Sequence, residues 1–227
     1  MNKNITEMSS EEIENLKLLG FYDTFEFTCK ACGKCCKKRT DLILTPYDIF
    51  RIAGYLGRSA LEILARYCEV YEGRQSHIPI VRVLPVPPSL TCPFLRNNKC
   101  SVNEKKPGVC RVYPLARIYK NDSDGSRYYL NGASCKHEPK TITVKEWIGD
   151  FASEEAEQVG KVWSEIIHNV HHTIQSQKLK ELPEVWKRVF DSMFDAFYAK
   201  YDIQQPFIPQ LERNYEELKK IMTPVAD

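Results

Sequence analysis

The chain of 227 residues carries 32 basic and 30 acidic residues, a formal net charge of +2 and 43% hydrophobic residues, an ordinary globular composition with room for a substantial core. Nothing in that balance points to nucleic acid or an anionic membrane, and no stretch reaches the apolar length of a membrane span. The opening segment MNKNITEMSSEEIENLKLLG places acids where a secretory signal needs a basic region, so a cytoplasmic protein is expected, in which nine cysteines point to metal or redox chemistry rather than to disulfides.

In chain order, Ser9 and Glu12 form a capping box, Ile13 and Leu16 an apolar face and Gly20 a stop, which predicts a short leading helix. Thr45 followed by Pro46 opens a second helix whose apolar face is Ile49, Ile52, Ala53 and Leu56 and which Gly57 ends. Ser59 and Glu62 open a third at once, so the two make an αα-hairpin. Its face Leu61, Leu64, Ala65 continues to Cys68, which reads as a core thiol. The alternation from Ile78 to Leu84 suits a strand. Leu115–Tyr119 and Arg127–Leu130 flank the turn sequence KNDSDGS and read as one hairpin.

Beyond about residue 140 the cysteines end and helical patterns take over. Thr143–Glu146 is a capping box leading into a long amphipathic stretch with a break near Asp150. Trp186, Val189, Phe190, Met193 and Phe197 form one stripe at helical spacing, Leu211, Tyr215, Leu218 and Met222 another, and Gln204–Pro209 reads as a linker. The expected fold is α+β: a cysteine-rich metal-binding core of short helices and a small β-hairpin over residues 1–140, followed by a C-terminal helical region over 141–227 packed on it or extending from it.

The cysteines carry the chemistry. Cys29, Cys32, Cys35 and Cys36 form C-x2-C-x2-C-C, a spacing at which one loop can aim several thiolates at a common centre while Gly33 supplies the bend. Cys92, Cys100, Cys110 and Cys135 form a second set in loop-like settings. Two tetrathiolate zinc ions, two clusters, or one of each satisfy the count, and the two-residue spacings lean towards iron. Neighbouring cysteines tend to diverge, so Cys36 is expected to turn towards a different centre from Cys29, Cys32 and Cys35. Lys30, Lys34, Lys37, Lys38, Arg39, Arg96, Lys99 and Arg111 offset thiolate charge. His137 after Cys135 is an alternative ligand or a loop histidine. His168, His171 and His172 share one helix face but lack an H-E-x-x-H pattern. Arg111 and Tyr113 sit where they could bond sulfur or an anion, or brace the site.

The segment C29KACGKCC36 followed by T91CPFLRNNKCSVNEKKPGVCRVYPL115 resembles the CxxCxxCC family of zinc- or iron-chelating proteins, also known as the YkgJ-type cysteine-cluster family, over roughly residues 25 to 140. That resemblance implies a metal-binding cysteine domain. Its methylase branch, the flagellin lysine-N-methylases, is associated with a 4Fe–4S cluster. The expected cofactor is therefore an iron–sulfur cluster of the 4Fe–4S type serving electron transfer or protein modification, with zinc as the alternative in a protein-interaction module and lysine N-methylation as a further reading. A protein partner or protein substrate is expected, rather than nucleic acid or membrane. There is no Gly-rich phosphate loop, no G-x-S-x-G elbow, no C-x3-C-x2-C motif and no glycine-rich nucleotide loop.

Overall fold

The protein is described by a computed structural model covering residues 15–29, 32–38, 40–119, 126–131 and 140–223. Of the expected features, Ser9, Glu12 and Ile13 of the leading helix, Lys30, Arg39, the turn before Ser126, Cys135 and His137 lie outside the described residues. The fold is α+β.

Strand β1, Thr24–Glu26, is followed by the first cysteine loop and β2, Ile43–Leu44. Helix α1, Pro46–Leu56, begins as expected: Asp48 N–H donates to the Thr45 hydroxyl at 3.2 Å, and Thr45 N–H donates back to the Asp48 carboxylate at 2.9 Å. Helix α2, Ala60–Tyr67, repeats the device with Ser59 and Glu62 and packs against α1.

Cys68 is not helical. It is the C-cap of α2 and the first residue of β3, Cys68–Glu72, which pairs antiparallel with β4, Pro79–Val83. The helix therefore stops one residue short of Cys68, and its buried face is Ala60, Ile63 and Leu64, with Leu61 and Ala65 exposed. Cys68 nevertheless packs against the core, and burial pushes its thiol up to about 12.

Next come β5, Leu95–Arg96, and β6, Lys99–Cys100, a short hairpin turned by Asn97 and Asn98 at φ 49° and 58°. Helix α3, Gly108–Val112, precedes the hairpin of β7, Leu115–Tyr119, and β8, Ser126–Leu130. Strand β9, Thr141–Thr143, pairs antiparallel with β1 and so ties the chain before Cys29 to the start of the helical region.

Helix α4, Val144–Ile148, opens on the expected Thr143–Glu146 box, and a 3-10 turn over Gly149–Ala152 makes the break near Asp150. Ser153 then caps α5, Glu154–Ser176. Helix α6, Pro183–Phe194, runs on through a π turn to Ala199, with Val189, Met193 and Phe197 fully buried. Helix α7, Phe207–Met222, starts inside the expected linker, because Phe207 is drawn into the core against Tyr47 and Tyr201. No described helix is long and apolar enough to cross a membrane.

Two apolar clusters hold these elements. The larger joins α1, α2 and β4 to α5, α6 and α7, with Ile49, Ile52, Val81, Val170, Met193 and Leu211 near its centre. The smaller joins β1, α3, the β7–β8 hairpin and α4 through Phe25, Phe27, Val112, Tyr128, Val144 and Ile148. Both draw residues from either side of residue 140. The cysteine loops lie where the clusters meet.

Candidate metal centre

The first cysteine loop is held by the second. Cys92 N–H donates to the Cys36 carbonyl at 2.8 Å, and Lys37 forms an antiparallel bridge with Thr91. Gly33, at φ 68°, bends the loop into a 3-10 turn over Lys34–Cys36, and it lies against Leu95, whose Cδ1 would be 3.4 Å from a Cβ added there. The Lys37 ammonium reaches the Asn98 amide oxygen at 3.4 Å.

As a result Cys29, Cys32, Cys35, Cys36, Cys92, Cys100 and Cys110 all line one cavity of about 340 Å3. These residues are thiols rather than disulfide halves. Cys29 and Cys32 are exposed at its mouth and the others are half-buried. Cys36 does not diverge from Cys35: their sulfurs are 4.0 Å apart on the same cavity. The tight turn after Gly33 brings both side chains inward.

The sulfurs sense one another. The Cys36 thiol is pushed well above its ordinary range by its hydrogen bond with Cys35, by burial, and by the proximity of Cys92 and Cys110. Burial raises Cys92 and Cys100 as well, opposed at Cys92 by the backbone N–H groups of Phe94 and Leu95 and at Cys100 by the N–H of Val102 and the charge of Lys106. Backbone amides aimed at sulfur, with a cation nearby, favour the thiolate, the form that binds metal. The knuckle Cys92-Pro93-Phe94-Leu95 gains these donors because Leu95 N–H also bonds the Cys92 carbonyl, at 2.9 Å, folding the chain over the sulfur.

Phe27, Tyr113 and Trp147 close one side of the cavity. Phe27 meets Trp147 edge-on at 5.0 Å, and the indole N–H donates to the Tyr113 carbonyl at 3.0 Å. Arg111 braces the site from outside, its Nε donating to the Ile148 carbonyl at 2.8 Å, with its guanidinium packed where Gly149 lacks a side chain. Asp48 holds α3, and with it Cys110, to α1: its carboxylate accepts from Gly108 N–H at 2.7 Å.

The donor set is chemically suited to zinc or to an iron–sulfur cluster, both of which take thiolates. Among the described residues no three His, Cys, Asp or Glu side chains converge closely enough to hold an ion at one point; the thiols are distributed around the cavity wall. The histidines of α5 stand apart, and His171 faces the Ser76 carbonyl at 3.4 Å. The backbone donors to Cys92 and the Asp48 clamp escape a spacing-based reading, although Thr45-Pro46-Tyr47-Asp48 contains the clamp's signal as a capping box.

Comparison with known proteins agrees with this geometry. The chain is 27% identical over 110 residues to an uncharacterized protein of Methanocaldococcus jannaschii, an alignment covering 48% of this chain and 55% of that relative, so the chain spans about half the length of the curated protein it matches. No solved structure matches it. A model of the CxxCxxCC family, described as a "Putative zinc- or iron-chelating domain", matches residues 28–141, from just before Cys29 to β9. That span is half of the chain and takes in every thiol of the cavity, and the chain therefore belongs to the CxxCxxCC family of cysteine-cluster, metal-chelating domains.

Proposed function

We propose that the cysteine cavity holds an iron–sulfur cluster of the 4Fe–4S type and that the protein uses it in electron transfer or in modification of a protein substrate. The supporting observation is the gathering of seven thiols from three separate segments around a single cavity of about 340 Å3, with backbone donors aimed at Cys92 and Cys100. Cys29, Cys32, Cys35, Cys36, Cys92, Cys100, Cys110 and Cys135 are the proposed ligand pool. Such a cluster supplies a site for one-electron chemistry. The chain's part is to hold the thiolates, shield them with Phe27 and Trp147, and offset their charge with Lys99 and Lys106 on the cavity wall. Exposed Lys34, Lys37 and Lys38 favour approach of an acidic protein surface. Lysine N-methylation is the family-derived form of the protein-modification reading, and methyl-donor binding decides it.

One distance favours zinc as the second reading. The 4.0 Å between the Cys35 and Cys36 sulfurs is close to the edge of about 3.8 Å that Zn–S bonds of about 2.3 Å give a tetrahedral site. Two tetrathiolate zinc ions would then make the cysteine half a protein-interaction module. Iron, zinc and acid-labile sulfide in anaerobically purified protein, with a visible spectrum, separate the two. About four irons and four sulfides per chain with brown colour are expected for a cubane cluster. About two zinc ions without sulfide or colour would replace that reading with the second.

A further inference from the structure

Helix α3 stands between two cavities. Cys110 faces the thiol cavity, Gly108 and Val112 face a second one of about 590 Å3, and Val109 and Tyr113 border both. We infer that this second cavity is a binding site for an uncharged aromatic small molecule, held beside the cysteine centre.

Its volume is in the range of small-molecule sites, about 300–1,000 Å3. Tyr47, Tyr113, Tyr129, Phe151, Trp163 and Phe207 present aromatic rings to it, the lining that offset and edge-on contacts with another ring require. The space is made by α5, which presents Ala156 and Gly160 one turn apart on the face that borders the cavity. Glycine is disfavoured in the interior of a helix of 23 residues, and Gly160 lines the cavity without a side chain of its own.

The charges at the site are already answered. Arg117 pairs with Glu157 at 2.8 Å. The buried Asp48 carboxylate accepts from Gly108 N–H and from both the N–H and the hydroxyl of Thr45. The remaining charged lining residue, Asp41, is exposed and acidic. A phosphate or carboxylate would therefore meet no uncompensated cation there, which separates this site from those that recognise nucleotides or organic acids.

The inference does not depend on which metal the thiols hold. The full chain, with whatever metal it carries on purification, is titrated calorimetrically with 1-naphthol and separately with 1-naphthyl phosphate. Saturable binding of 1-naphthol at one site per chain is expected, with 1-naphthyl phosphate weaker by about tenfold or more. Gly160→Leu, which replaces a helix-disfavoured residue with a helix-favoured one, is expected to fill the cavity and weaken 1-naphthol by about tenfold or more without changing metal content. Should that variant not fold, Ala116→Leu is expected to fill the cavity from β7, which also lines it. No saturable binding of 1-naphthol, equal binding of the phosphate, or undiminished binding by a folded cavity-filling variant would each overturn the assignment.

Discussion

Asp48 links a helix start to the candidate metal centre, and replacing it has a cost that can be worked out. Its carboxylate is 2% exposed and accepts from Gly108 N–H at 2.7 Å, Thr45 N–H at 2.9 Å and the Thr45 hydroxyl at 2.8 Å. Asp48→Ala removes a capping interaction worth about 1 kcal/mol and leaves Gly108 N–H without its partner, a desolvation penalty of about 1–3 kcal/mol, so a loss of about 2–4 kcal/mol is expected. Asp48→Asn keeps the shape and one acceptor and should lose about 1–2 kcal/mol. Because burial raises the carboxyl above its ordinary 3.8, the folded chain binds this proton more tightly than the unfolded chain does. Its contribution to stability is then fully present below the unfolded value and declines as pH rises through the folded one. The Asp48→Asn penalty should accordingly be largest near pH 4 and shrink towards neutrality. Urea unfolding followed by circular dichroism at several pH values measures both effects. An Asp48→Ala loss below about 0.5 kcal/mol would refute the clamp, and an Asn penalty that grows with pH would mean that the hydrogen bonds to the carboxylate outweigh its burial.

Cys36→Ser and Cys92→Ser are each expected to lower bound metal, and sulfide where present, whereas Cys68→Ser leaves metal content unchanged because Cys68 packs on the core outside the cavity; metal analysis of the three variants checks this. With its thiol pushed up to about 12 from 9.0, Cys68 should alkylate about a thousandfold more slowly near pH 8 in the folded chain than in urea, and peptide mass spectrometry after iodoacetamide treatment reads the ratio. Gly57 ends α1 at φ 61° with nothing within 4 Å of an added Cβ, so Gly57→Ala should cost about 1–2 kcal/mol through backbone conformation alone, measured by urea unfolding.

The features legible in the sequence are those whose cause is local. Thr45 with Asp48, Ser59 with Glu62 and Thr143 with Glu146 announce three helix starts because each pair satisfies its own backbone donors, and all three are present. The hairpin of β7 and β8 is likewise adjacent in sequence. Strands β1 and β9 are each only three residues long, and pairing across more than a hundred positions leaves no local periodicity to read. Strand β3 was hidden differently: the apolar spacing of α2 runs on into Cys68, and only the partner β4 decides that the chain is extended there. At the candidate site, C-x2-C-x2-C-C shows the thiols of one loop. That Cys36 and Cys92 meet depends on a backbone hydrogen bond between distant segments, which spacing does not encode.

The way the cysteine loops sit between the apolar clusters predicts an uneven response to metal removal. A centre joining the loop of Cys36 to that of Cys92 restricts the unfolded chain much as a disulfide over the same span would, by about 4 kcal/mol on the chain-entropy account. In a domain with little core of its own, removing that restraint would unfold everything. Here the larger cluster rests on Ile49, Ile52, Val170, Met193 and Leu211, contributed by α1, α5, α6 and α7, none of which carries a cysteine of the cavity. Chelation should therefore release residues 32–37 and 91–110 first. Hydrogen exchange in the stripped protein is expected to show fast amides in those loops, the Cys92 N–H among them, while the centre of α5 and the Val189–Met193 stretch of α6 keep their protection. Simultaneous loss of protection in α6 and in the cysteine loops would mean that the centre and the helical core fold as one unit, and that the apolar contacts of α5 to α7 are insufficient without it.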